Sequence, residues 1–246
     1  MENTSYVALS RQAALWRQME VVANNIANAN TPAYKTEEVM FTDYLVKSKS
    51  ANSPFGNKVS FVRDVGTMRD TREGALTTTG APLDVAVHDD GYMVVDTPAG
   101  QRYTREGHFR LDENGMMVTS SGYPVMQKTN QPIVFAPNEA QINIAADGTI
   151  STENGTIGQL RVVKFDNEQT LRKAGDGTYV TSSDPTDIDT PKIMQGMLEE
   201  SNVQPVIEST HMMTILRNYQ SVQKMIENEQ DRSLKAFSVL SQAQHA

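Results

Sequence analysis

The chain has 246 residues, 38% of them hydrophobic, and carries 22 Lys and Arg against 30 Asp and Glu for a net charge of -8. That apolar share supports a packed core but is low for a compact enzyme and points to an elongated or multi-part molecule, while the negative balance disfavours nucleic acid and anionic membrane surfaces. Cysteine is absent, which excludes disulfides, thiolate metal sites and cysteine nucleophiles.

The first stretch, MENTSYVALSRQAALW, has neither the cationic region nor the unbroken apolar run of a cleaved secretion signal. No other run is long enough to span a bilayer, so composition alone keeps the chain in the cytoplasm unless it leaves by a route without a cleaved signal. From Thr4 to Asn30 the pattern is helical: Leu15, Met19, Val22 and Ile26 form an apolar seam of coiled-coil type, and Leu9, Trp16 and Ala23 form a second row at intervals of seven. Asn3, Thr4 or Ser5 caps the start, and Pro32 enforces the stop.

Between Thr36 and Lys192 the pattern changes to short alternating runs. Asp90-Gly91, Asn114-Gly115, Asp147-Gly148, Asn154-Gly155 and Asp176-Gly177 supply turns with positive φ, with strands predicted over Val85–Val95, His108–Val118, Gln141–Ile150 and Gly158–Phe165. A second helix is predicted from Val206 to Leu240, about 50 Å at 1.5 Å per residue. Its seam runs through Met212, Ile215, Tyr219, Val222 and Ile226, and resumes at Leu234, Phe237 and Leu240. The expected fold is therefore an all-β central domain, 36–195, beside a terminal helical domain of 1–35 with 196–246, whose two helices pair as a coiled-coil-like stalk. Charge divides the same way: 36–195 carries a net -7, while 1–35 and 196–246 carry +1 and -2. A lone helix pair covers little of its own apolar surface, and the remainder asks for neighbours.

Chemistry has little support. His88, His108, His211 and His245 lack metal-ligand spacing and nucleophile partners, and are read as surface or turn residues. Asp89-Asp90-Gly91 and Asp112-Glu113-Asn114-Gly115 lack the alternating oxygens and distal Glu of a calcium loop, so hairpin turns explain them. No catalytic residue, cofactor or metal is expected. Methionines on the last helix are read as packing. One feature resists a bland reading: Asn24, Asn25, Asn28 and Asn30 crowd a helix end, against asparagine's poor helix propensity. One asparagine stops a helix; four suggest a strip of amides that fixes the register of adjacent subunits.

These residues carry a resemblance. ANNIANANTPAYK, Ala23 to Lys35, resembles the N-terminal signature of the bacterial flagellar rod and hook proteins, in which a helix ending Asn-Asn-(Ile/Leu)-Ala-Asn is followed by Thr-x-Gly-(Tyr/Phe)-(Lys/Arg); Ala33 stands in the glycine position. GMLEESNVQPVIESTHMMTILRNYQSVQKMI, Gly196 to Ile226, is similar to the family's Gly-x-Leu-Glu-x-Ser-Asn-Val block with its helix. TGAPLDVAVHDDGYMVV and YTREGHFRLDENGMMVTSSGYPV are similar to its β-domain core, with His88 and Tyr92-Met93 departing from the common Gly-Asp-Gly-Phe-Phe wording. INIAADGTIS and IGQLRVVKFDNEQTLRKAGDGTY look most like the proximal rod members.

The resemblance implies a non-enzymatic subunit of the basal-body rod, polymerising through its terminal helices into a tubular drive shaft for motility, with the β domain outside. It implies as partners further copies, other rod proteins and the flagellar type III export apparatus, with no nucleic acid, no membrane insertion, and a periplasmic place reached without a cleaved signal. The expected subunit interface comprises Leu15, Met19, Val22, Asn24, Asn25, Ile26 and Asn28 from the first signature, and Glu199, Ser201, Asn202, Val203, Met212, Ile215, Tyr219, Val222 and Ile226 from the last. A distal rod protein is the alternative within the family; a helix-trimerised β-domain enzyme or carbohydrate binder is the alternative outside it.

Overall fold

The computed structural model describes residues 2–47, 58–137, 139 and 141–243. Helix α1 spans Glu2–Ala27 and is followed by a hairpin of β1 (Glu37–Lys47) and β2 (Lys58–Arg69). The central strands are β3 (Leu76–Thr78), β4 (Val85–His88), β5 (Tyr92–Thr97), β6 (Gly100–Thr104), β7 (Phe109–Leu111), β8 (Met117–Thr119), β9 (Asn143–Ile144), β10 (Thr149–Thr152), β11 (Gly155–Gln159) and β12 (Val162–Lys164). They continue as β13 (Arg172–Gly175), β14 (Thr178–Val180), β15 (Thr186–Asp187), β16 (Lys192–Gln195) and β17 (Met197–Glu199), and helix α2 (Pro205–Ala243) closes the chain. The protein is mainly β with a helix at each end, as the sequence patterns predict.

Contacts divide it into two compact units: residues 1–27, 37–69 and 204–246 in one, 28–36 and 70–203 in the other. The composition-based division placed 36–69 with the β part and 28–35 and 204's neighbours 196–203 with the helices. The hairpin instead packs on α1, with Arg17 Nε 3.5 Å from Asp64 Oδ2. Its ladder runs antiparallel from Glu37↔Arg69 to Lys47↔Lys58, and steps at Met40↔Gly66 and Phe41↔Asp64, so that Val65 is the extra residue of a bulge.

In the second unit, a six-stranded antiparallel sheet in the order β13-β14-β6-β5-β12-β15 is buried on both faces at its centre. Side chains alternate across β5: Met93 and Val95 enter a core with Phe109, Met117, Phe135 and Ile150, while Tyr92 and Val94 enter another with Tyr103, Phe165 and Tyr179. A strand buried on both faces must be apolar at successive positions, which is why YMVV reads as a run without alternation.

The boundaries differ locally. α1 stops at Ala27 because Asn28 is drawn into a turn, its carbonyl accepting from Thr31 N at 3.1 Å. Each predicted strand from 85 to 165 is split in two by a turn or break. Gly115, Gly148, Gly155, Asp176 and Gly177 have the expected positive φ, but in the Asp89-Asp90-Gly91 turn it is Asp89 that is left-handed, at φ 65°. Gly91 is needed for room: a Cβ there would lie 2.9 Å from Val162 Cγ1. α2 begins with Pro205 in the first turn, where its missing N–H costs nothing. The side chains of Phe237 and Leu240, and all of His245, lie outside the described residues.

Candidate functional site

In the first unit α1 and α2 run antiparallel, since Asn25 meets Glu208 while Trp16 meets Tyr219, ring centroids 6.3 Å apart. Leu15, Val22, Ile215 and Val222 are buried between them with Ala8, and Met19, Ile26, Met212, Tyr219 and Ile226 pack around that core. The seam residues of both helices thus meet within one chain. The second row of α1 is left largely outside this seam: Leu9 is 57% and Trp16 58% exposed, Trp16 touching the pair through the Tyr219 ring, and Ala23 is exposed. α2 leaves Val206, Ile207, Met213, Leu216, Met225 and Leu234 exposed. At 39 residues against 26, it is the longer helix by about 20 Å.

The asparagines divide. Asn25 is buried, and its amide pairs with the backbone of Glu37 as a strand neighbour would: Nδ2 donates to the Glu37 carbonyl at 2.9 Å, and Oδ1 accepts from Glu37 N at 3.1 Å. Nδ2 also lies 3.3 Å from Glu208 Oε2. Asn24 is exposed beside Ala23, and Asn28, half-buried, accepts through Oδ1 from the Thr31 hydroxyl at 3.2 Å.

In the second unit the two terminal signatures meet on a buried ionic cluster. Glu199 Oε1 accepts from Lys35 Nζ at 2.5 Å and from Gly74 N at 3.0 Å, and Oε2 accepts from Arg105 Nε at 2.8 Å. All three side chains are no more than 3% exposed. Arg105 also donates to the carbonyls of Gly91 and Val87 and lies over the Tyr92 ring, and Lys35 donates to the Arg72 carbonyl. Burial works against the Glu199 carboxylate, but the charges of Arg105 and Lys35 outweigh it and hold the group below the usual carboxylate range. Burial lowers Lys35, with Glu199 offsetting part of the effect.

Asn202 completes the join. Its Oδ1 accepts from Thr36 N at 2.7 Å and the Thr36 hydroxyl at 2.8 Å, and its Nδ2 donates to the carbonyls of Asp70 and Arg72, both at 3.0 Å. Ser201 Oγ accepts from Val203 N, and Val203 is buried. Lys35 and Arg105 were not among the expected site residues. The available signal was a cation ending one signature and an anion inside the other. His88 and His108 pair with Glu73 and Asp84 at turns, and His211 is exposed on α2.

A β part flanked in sequence by terminal helices that leave an apolar row outside their own seam is what a subunit that packs against neighbours presents. Comparison with known proteins agrees. Residues 6–35 match the family described as flagella basal body rod protein, 86–152 the flagellar hook protein FlgE/F/G D1 domain, and 194–238 the flagellar basal body rod FlgEFG protein C-terminal family. The chain is 38% identical over 243 residues to the flagellar basal-body rod protein FlgF of Caulobacter vibrioides, covering 98% of each, and 33% identical to that of Rhizobium meliloti at the same coverage. It is 31% identical to FlgG of Bacillus subtilis, over 92% of this chain and 94% of that one. The chain belongs to the flagellar basal-body rod protein family, and is a structural subunit of the rod in flagellar motility.

Proposed function

We propose that this protein is a proximal rod subunit that polymerises through its terminal helices into the tubular drive shaft. In this reading the two terminal helices, paired as a coiled-coil-like stalk, form the polymerising part, and the β unit of 28–36 and 70–203 stands outside the tube. The exposed row Leu9, Trp16 and Ala23 carries the proposal, because an apolar stripe beside an already closed seam gains further burial when a neighbouring chain packs on it. The seam residues Leu15 to Ile26 and Met212 to Ile226 shape that surface from beneath, and Asn24 at its end supplies a polar contact. The partners are further copies and other rod proteins. The chain reaches the rod, in the periplasmic space, through the flagellar type III export apparatus without a cleaved signal, with no nucleic acid and no membrane insertion involved. The proximal reading is favoured over the distal one by the full-length match to FlgF relatives.

The test replaces Leu9 and Trp16 by Glu. The double variant is expected to keep the wild-type circular dichroism of the monomer, reach the secreted fraction at wild-type level, and leave cells non-motile and without rods. Normal rods and swimming would defeat the reading. Trp16 is the chain's single tryptophan, so its emission in the wild type reports directly on whether this row becomes buried on assembly.

A further inference from the structure

The second unit contains a polar cluster that its apolar cores do not require. Both cores draw on residues between 83 and 193, whereas Lys35, Glu199 and Asn202 lie outside that span. Lys35 and Glu199 are 164 residues apart in sequence, and Asn202 is 166 from Thr36. The backbone is cross-bonded at the same place: Ala33 N donates to the Glu199 carbonyl at 2.8 Å, and Asn202 N to the Tyr34 carbonyl at 3.2 Å. A third segment is held by them, through Gly74 N to Glu199 Oε1, Glu200 N to the Ala75 carbonyl, and Asn202 Nδ2 to Asp70 and Arg72. Segments 33–36 and 70–75 are joined to each other by Asp70 N on the Thr36 carbonyl and Lys35 Nζ on the Arg72 carbonyl, and both are tied to 199–202 mostly by the side chains of Glu199 and Asn202, with Lys35 and Arg105 as the cations that make Glu199 tolerable in the interior.

We infer that Glu199 and Asn202 form a latch that closes over a preformed β core and pins the entering segment 33–36, the strap 70–75 and the leaving segment 199–202 to one another. The latch residues come last of the three in chain order, so the strap and the entering segment, which bond to each other through Asp70 N and Lys35 Nζ, gain their bonds to 199–202 only once residue 202 is available. The latch opens as a local unit, with the cores on either face of the six-stranded sheet remaining closed, because no member of either core lies in the three segments.

Hydrogen–deuterium exchange on the full chain tests this. In Glu199→Gln, which keeps the shape and loses the charge, amides of 33–36, 70–75 and 199–202 are expected to exchange at least about tenfold faster. The core amides of Met117, Val125 and Met126, bonded to Ile133, Met117 and Val94, are expected to keep their wild-type rates. Asn202→Ala opens the same three segments without leaving buried cations unpaired, so it serves as the second variant should Glu199→Gln fail to fold. Acceleration of core and latch amides together in Asn202→Ala would show a single cooperative unit and overturn the latch. So would unchanged exchange of the three segments in that variant.

Discussion

Asn25 shows how a side chain of the signature can be absorbed by its own chain. Its amide bonds both the N–H and the carbonyl of half-buried Glu37, so removing it loses two hydrogen bonds, at about 0.5–1.5 kcal/mol each. Asn25→Ala is therefore expected to destabilise the first unit by that amount in urea unfolding of the monomer. Ala33 raises the opposite question. It is buried at φ 55°, a left-handed conformation that a Cβ opposes by roughly 1–2 kcal/mol. This explains the glycine that the family signature places there. Ala33→Gly relieves the strain but removes a buried methyl and adds freedom to the unfolded chain, so a gain of no more than about 1 kcal/mol is expected. Ala33→Val is expected to cost more than about 2 kcal/mol, since a β-branched residue is an outlier at this φ. Denaturant midpoints of the two variants check the order.

At the scale of elements, the helix pair and the β part rest on different interactions. α1 and α2 share one thin seam in which Val222 is 7% exposed. Val222→Asp puts a carboxylate into that seam, at a cost of several kcal/mol unless it is protonated. The monomer is expected to lose helical circular dichroism, while the near-ultraviolet signal of the Tyr92, Tyr103, Phe165 and Tyr179 cluster persists, because that cluster belongs to the other unit. Loss of both signals together would mean that the units fold as one. The hairpin β1–β2 belongs with the helices for a related reason. Asn25 and Arg17 of α1 both bond to it, and these bonds satisfy polar groups that the helix seam leaves outside.

For the whole molecule, the buried ions set an acid limit. Glu199 is held below its ordinary value of 4.5, so its stabilising effect is complete above that pH and is lost as the pH falls through the folded value. Glu106 and Glu168 act in the other direction: burial pushes their carboxyls up, so the folded state takes up these protons first and gains stability on mild acidification. Comparing wild type with Glu199→Gln removes these shared contributions. The difference in unfolding free energy is expected to shrink below pH 4.5, and to shrink again toward alkaline pH, where Lys35, lowered by burial and in the variant no longer offset by Glu199, gives up its proton. At neutral pH it should reach about 3–5 kcal/mol, the usual cost of stranding buried charges. A difference that does not change with pH would mean that ionisation of Glu199 is not what stabilises the fold.

Much of this protein was legible without the fold. The seams at three- and four-residue spacing marked both helices, turn pairs such as Asn114-Gly115 and Asp176-Gly177 marked the β part, and the two end signatures marked the family, because each signal depends on residues a few positions apart. Tertiary structure alone decided the rest. Nothing within reach of Lys35 in sequence indicates that its partner is Glu199, that Asn25 turns inward to Glu37 while Asn24 faces out, or that the 37–69 hairpin packs on α1. Those outcomes depend on which distant groups burial brings together, and a buried polar side chain settles on whichever partner satisfies it there.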